Sequence, residues 1–191
     1  QKVLKKEWVP LVGIVIIAVL MADVIGRISK TTSKDNSSKT TTKAATYEAI
    51  ADTMEFDISD DAIAFINDNP QFFPGNSSNT GAISDHIDFS MDYAHVAKNP
   101  FKYSDRLMYV FGEVVDCQEL EESGKTLTYV QIEDYSGYDY CVYYLGELPN
   151  VFEGNDVTVT FLPFDVITFE NIGGYYTKAI VGAACYVNYA E

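Results

Sequence analysis

The folded part of this chain has few basic residues. Residues 44–191 carry five Lys or Arg against 25 Asp or Glu, a net charge of −20, whereas residues 1–43 carry eight basic and three acidic residues. Proteins that bind nucleic acid neutralise its phosphates with Lys and Arg. The shortage therefore disfavours nucleic acid as a partner, and it predicts a negative field that attracts cationic partners.

Residue types that bind metals or carry out catalysis are also scarce. The chain has two histidines and three cysteines, with no Cys-x-x-Cys pair, no Gly-x-Ser-x-Gly elbow and no phosphate-binding glycine loop. Zinc sites, thioredoxin-like sites, hydrolases and nucleotide enzymes depend on such patterns. We predict a protein that is not an enzyme, with no metal and no cofactor. Cys117, Cys141 and Cys185 are predicted as buried, unreactive thiols, with one disulfide as the alternative.

One long apolar run is present, at residues 9–26, and Asp23 is its only charge. A helix of that length covers about 27 Å, close to the roughly 30 Å of a bilayer's hydrocarbon core. Residues 1–27 are therefore predicted as a basic flank and a transmembrane helix, with Trp8 at the interface. A buried core helix, a signal-peptide segment and the leading helix of a pilin-like filament subunit are the alternatives.

Residues 28–46 are rich in Ser, Thr and Lys and contain little to bury, which predicts a flexible linker. A spacer of this kind beside a membrane helix is typical of surface proteins. We therefore predict a single-pass protein of the cell membrane whose C-terminal domain is extracellular. The count of basic residues on the two sides of the apolar run, three before and five after, favours the opposite orientation.

Residues 47–100 are predicted as a helical segment. Ser59 caps a short helix that Asn69 and Pro70 end. A loop follows to residue 83, and Ser84 is predicted to cap a second helix that continues to about Lys98.

Residues 101–191 show the two-residue alternation of strands. The fold class is therefore mainly β with short helices (α+β): a five-stranded barrel preceded by a helical segment. Gly112 inside the first strand allows the sharp bend that closes a small barrel. The strands are predicted from Arg106 to Cys117 and at 127–133, 138–145, 157–162 and 177–187, with a long loop around Pro163 between the last two.

Three stretches carry a family resemblance: residues 99–105 (NPFKYSD), 110–114 (VFGEV) and 153–159 (EGNDVTV). They resemble the NPxKY…GxV…GDxV pattern of OB-fold domains, a group of mostly uncharacterised surface domains tethered to the membrane of Gram-positive bacteria. The resemblance covers roughly residues 60–190 and implies an OB-like barrel after a membrane helix. The chain departs from the pattern in having Gly-Asn-Asp, one residue longer, before the fourth strand.

Tyrosines are concentrated on the predicted second and third strands, which form the usual ligand face of an OB-fold. They offer large, rigid, amphipathic contacts, and barrel packing is the alternative reason for their presence. We predict a membrane-anchored, extracytoplasmic binding module that recognises a peptide, glycan or partner protein; the filament subunit is the alternative function. The candidate binding residues are Tyr129, Tyr138, Tyr140, Tyr143 and Tyr144.

Overall fold

The computed structural model describes residues 42–122, 125–170 and 174–189. The α-helices in these ranges are α1 (Lys43–Met54), α2 (Asp60–Asp68), α3 (Thr80–Ser84) and α4 (Tyr93–Lys98), with 3-10 turns at Pro70–Phe72 and Pro100–Tyr103. The strands are β1 (Met108–Glu122), β2 (Lys125–Asp134), β3 (Asp139–Tyr144), β4 (Asp156–Glu170) and β5 (Tyr176–Tyr189).

The five strands form a closed barrel in the order β1-β2-β3-β5-β4. Strands β3 and β5 are parallel, and the other neighbouring pairs are antiparallel. Strand β1 pairs with β4 through its first half and with β2 through its second half, so that one long strand joins both sides of the barrel. This is the five-stranded OB-like architecture that the sequence predicts.

Gly112 lies where β1 changes partners, since it pairs with Val157 of β4 and with Asp134 of β2. A Cβ atom at this position would lie 2.4 Å from the carbonyl oxygen of Glu133. Only glycine therefore lets the two backbones approach so closely.

Strand β4 is longer than predicted, because it continues through Pro163 to Glu170 instead of ending at residue 162. The residues predicted as a loop pair with β5 along most of this length. The register shifts next to Pro163, and a proline is tolerated at such a bulge because the ladder is already interrupted there.

The predicted helix from Ser84 to about Lys98 is wrong: the segment contains the end of α3, a link at residues 85–92 that includes turns, and α4. Ile87 forms a parallel bridge with Leu107. The Asp88 carboxylate accepts hydrogen bonds from the backbone N–H and the hydroxyl of Ser90, a turn that competes with helix. Asp92 then caps α4 by accepting from the N–H of His95 at 2.9 Å.

Two apolar clusters hold the fold together. One fills the barrel and includes Met91, which precedes α4, and Val96, which belongs to α4. The other lies outside the barrel, where α1 and α2 cover strands β2, β3 and β5. Helix α1 begins at Lys43 behind the capping side chain of Thr42, inside the segment 28–46 that was predicted as linker.

The predicted transmembrane helix of residues 1–27 lies outside the described residues. Within the described ranges, no helix combines the length and the apolar character needed to cross a bilayer.

Candidate functional site

The outer face of β2 and β3, the usual ligand face of an OB-fold, is covered by the chain's own helices. Tyr129 is 5% exposed and Tyr143 is 1% exposed. The ring of Phe56, just after α1, stacks on that of Tyr143 with centroids 5.9 Å apart. These two candidate tyrosines are therefore part of the packing between helices and barrel and offer no contact surface.

The other three candidates point elsewhere. Tyr140 belongs to the cluster inside the barrel and is 2% exposed, with its hydroxyl donating to Asp134 Oδ2 at 3.0 Å. Tyr144 is half-buried against the same cluster. Tyr138, in the turn between β2 and β3, is 43% exposed. The five predicted residues thus do not share one face, and Tyr138 alone presents much of its ring to solvent.

A row of exposed aromatic rings lies instead on the outer side of β1. We call it the aromatic strip; it consists of Phe89, Tyr109, Phe111 and Tyr135. Tyr109 and Phe111 are two residues apart on one strand and point to the same side. The ring centroids of Phe89 and Tyr109 are 6.2 Å apart, and those of Tyr135 and Phe111 are 5.4 Å apart. Exposure in the strip ranges from 43% to 77%, an unusual amount for adjacent rings.

Polar groups border the strip on the side of β4. Thr158 pairs with Phe111, and Asp156 pairs with Glu113, so their side chains stand on the same outer face. The hydroxyl of Tyr135 donates to Asp156, and this hydrogen bond raises the pKa of the phenol. The strip therefore combines apolar ring faces with hydroxyl and carboxylate acceptors.

A groove runs beside the strip, between the start of α4, the start of β1 and the turn from β2 to β3. Its volume is about 360 Å³. The residues that line it are Met91, Asp92, Tyr93, Ala94, Met108, Tyr109, Val110, Phe111, Asp134, Ser136, Tyr138 and Tyr140. Tyr109 and Phe111 belong to both the strip and the groove, so the two form one continuous surface.

One wall of the groove is a pair of stacked rings. Tyr93 and Tyr138 are nearly parallel, at 6°, with centroids 4.2 Å apart. Each is held in place from behind: the hydroxyl of Tyr93 donates to the carbonyl of Lys178, and the N–H of Tyr138 donates to Asp134 Oδ1. Burial raises the pKa of the Tyr93 phenol, which favours the neutral form that donates to Lys178.

The described residues contain no group of three His, Cys, Asp or Glu side chains arranged to hold a metal ion. The three thiols are free. Burial raises the pKa of Cys117 to about 11 and that of Cys141 to about 12, and a thiol that stays protonated is a poor nucleophile.

The strip was missed because β1 reads as apolar on both sides. In the run Met108-Tyr109-Val110-Phe111, the even positions are buried in the barrel and the odd positions are the exposed rings. Alternation alone gives two equivalent faces, and both look like core. The signal that could have separated them is the type of residue, because the aromatic members occupy one face and the smaller aliphatic members the other.

The sequence matches no protein-family model and no curated protein sequence. Solved structures do resemble it. One is the mitochondrial single-stranded DNA binding protein Rim1 of S. cerevisiae, at 15% identity and a TM-score of 0.32, covering 44% of this chain and 92% of that one. Another is the second OB-fold domain of replication protein A from Methanococcus maripaludis, at 16% identity and a TM-score of 0.27, covering 45% and 83%.

A third similar structure is an OB domain from Thermoplasma acidophilum, at 15% identity and a TM-score of 0.28, covering 55% of this chain and 85% of that domain. The likeness is one of fold. The prediction that disfavours nucleic acid as a partner is contradicted, since a single-stranded DNA binding protein and a replication protein domain are among the matched structures. A net charge does not describe the local surface that a ligand meets, so the charge count by itself does not decide the partner.

Proposed function

We propose that this protein is a non-catalytic binding module, and that its ligand is an extended peptide segment of a partner protein lying along the aromatic strip. The observation that carries the proposal is the row of four neighbouring rings, exposed by 43% to 77%, of which Tyr109 and Phe111 lie on strand β1 of the barrel. Exposed aromatic rings supply much of the energy in protein recognition, because each buries a large area with few rotatable bonds.

The polar border supports a peptide as the ligand. Hydroxyl and carboxylate groups at Thr158, Asp156 and Glu113 can accept hydrogen bonds from backbone N–H groups that pass along the strip. The carboxylates also favour basic side chains over acidic ones. A glycan could use the same rings and acceptors, and it is therefore included as an arm of the test.

We also propose that the apolar run of residues 9–26 anchors the module in the cell membrane, with the barrel outside. The support is the sequence: an apolar run framed by basic residues, followed by a Ser/Thr-rich segment that ends at the capped start of α1. Protease added to intact cells should then digest the barrel, while protection of the barrel until the cells are lysed would contradict the orientation.

Single-stranded nucleic acid is a second candidate ligand. Proteins that hold single strands stack successive bases on aromatic side chains, and the strip presents such rings side by side. The barrel is of the OB type, which commonly binds oligonucleotides. Affinity for a poly-dT oligonucleotide that falls steeply as salt rises would favour this candidate over the peptide.

The test uses the full chain in detergent micelles. Peptides are first selected from a random library, and their affinities are then measured beside those of a chito-oligosaccharide and a poly-dT oligonucleotide. Phe111→Ser and Tyr109→Ser remove rings of the strip. Tyr176→Ser is the matched control, because Tyr176 is 76% exposed and begins β5, where it pairs with Glu170 at the far end of β4.

The proposal expects the strip variants to weaken peptide binding about tenfold, since a buried aromatic contact at an interface contributes more than 1 kcal/mol. The Tyr176 variant should bind like the parent. Equal binding by all four proteins would overturn the assignment of the strip. If the protein bound only the saccharide or only the oligonucleotide, and the strip variants lost that binding, the strip would still be the site but the ligand would not be a peptide.

A further inference from the structure

The groove beside the strip is large enough to receive one side chain of a bound peptide. Its volume of about 360 Å³ is at the small end of the range for ligand pockets. It opens between three elements, two of which are held by local hydrogen bonds: Asp92 caps α4, and Asp134 accepts from the N–H of Ser136 in the turn between β2 and β3. A guest would therefore meet a surface that is already organised.

The groove presents ring faces together with negative charge. Tyr93 and Tyr138 form a parallel stack on one side, and Tyr109 lies on the side of β1. Among the described residues that line it, Asp92 and Asp134 are the charged ones, and both are carboxylates. Aromatic faces attract cations electrostatically, and carboxylates add to that attraction.

The two carboxylates, Asp134 and Asp92, differ in the contacts that they already make within the protein. Asp134 accepts from the N–H of Ser136 at 2.8 Å, from that of Tyr138 and from the hydroxyl of Tyr140. The Asp92 side chain is 60% exposed and contacts His95 Nδ1 at 2.7 Å. Both side chains thus place carboxylate oxygens at the groove, and none of the described residues that line it is basic.

We propose that this groove receives an arginine side chain of the peptide that lies on the aromatic strip; the inference rests on the function proposed above. A planar guanidinium can stack on the ring of Tyr138 or Tyr109 while its edge N–H groups face Asp92. The strong net negative charge of residues 44–191 favours the approach of such a basic segment. Arginine suits the site better than lysine, whose ammonium group is a strongly hydrated point charge that cannot stack.

Two methionines make the test direct. Met91 and Met108 line the groove, whereas Met54 is packed with the outer cluster at the end of α1. The full chain, labelled with carbon-13 at its methionine methyl groups and held in micelles, is titrated with N-acetyl-arginine amide. N-acetyl-citrulline amide is the matched probe, because it keeps the shape and lacks the charge.

The proposal expects the methyl signals of Met91 and Met108 to shift saturably with the arginine probe and not with the citrulline probe, while that of Met54 stays in place. Asp92→Asn keeps an N-cap and removes a charge, and Tyr138→Leu removes a ring. Each should weaken binding about two- to fivefold, the range expected for an exposed cation–π contact or ion pair. Asp68→Asn, an equal charge change on exposed α2 surface, should have no effect.

Equal shifts with both probes would show a groove that reads shape alone and would overturn the proposal. The absence of any shift, with peptide binding still dependent on Phe111, would also overturn it and would leave the function of the strip intact. If peptide binding did not depend on Phe111, the proposed function itself would be wrong. The two failures are thus distinguishable.

Discussion

The hydroxyl of Tyr47 on α1 donates a hydrogen bond of 3.3 Å to the backbone carbonyl of Tyr143 on β3. Tyr47 is fully buried, and its ring also contacts those of Phe73 and Phe164 edge to face. This contact places α1 on the outer face of the barrel. The face that commonly serves OB-fold ligands is therefore used here for folding.

Tyr47→Phe should lower the free energy of unfolding by about 1 kcal/mol, because it removes the hydrogen bond and leaves the ring. Tyr47→Ala should lower it by roughly 3–5 kcal/mol, since it also opens a cavity. Urea denaturation of the full chain in micelles measures both. Equal small losses would show that α1 is only loosely held on the barrel, which would contradict the covered face.

Gly112→Ala should destabilise the domain by about 1–3 kcal/mol, because the added methyl group would collide with the backbone of Glu133. Gly81→Ala is the matched control: no atom lies within 4 Å of the position of its Cβ, and it is in α3. Alanine favours helix over glycine, so the control should be neutral or slightly stabilising. Thermal melting measures both variants, and a loss of stability in Gly81→Ala as large as that in Gly112→Ala would contradict the close approach of the backbones at Gly112.

The domain should lose stability as the pH rises above about 9. Burial raises the pKa of Cys141 from an ordinary 9.0 to about 12, so the folded state keeps a proton that the unfolded state releases. The stability due to this group is complete below pH 9 and is lost progressively as the pH approaches 12. Each such group contributes a slope of about 1.4 kcal/mol per pH unit.

Cys141→Ala should reduce the slope of unfolding free energy against pH by the contribution of one thiol. Denaturant titrations at several alkaline pH values measure this slope. Cys185, whose thiol pKa is also raised by burial, should continue to contribute in the variant. An identical slope in parent and variant would show that Cys141 is accessible to solvent in the folded state.

The thiols should also differ in reactivity. Cys141 and Cys185 are fully buried, whereas Cys117 is partly exposed. Iodoacetamide at neutral pH should therefore modify Cys117 slowly and the other two only after denaturation, and mass spectrometry of the digest measures the extent at each residue. Fast modification of Cys185 in the native protein would contradict the outer cluster as described.

Much of the fold could be predicted because its signals are local. Alternation located the strands, and Ser59 with Asn69 marked both ends of α2. The extension of β4 past Pro163 was missed because its pairing with β5 is a tertiary contact that overrides a local breaker. The split of the predicted second helix depends on the bridge from Ile87 to Leu107, which is also remote in sequence.

The site was harder to predict than the fold. Tyr129 and Tyr138 are both tyrosines near β2, yet one is covered by helices and the other is at the surface. What separates them is the layer formed by α1 and α2, and the sequence does not state which face of a barrel such a layer will cover. The rings of Tyr109 and Phe111 are exposed for the same reason, because the helices do not cover that part of β1.

Hydroxyl-radical footprinting of the full chain, with and without a library-selected peptide, tests the central claim most directly. The rings of Phe89, Phe111 and Tyr135 are exposed and should be oxidised in the free protein and protected in the complex. Tyr176 should be oxidised equally in both states. Protection confined to Tyr176 or other exposed rings, with the strip oxidised as before, would contradict the placement of the ligand on β1.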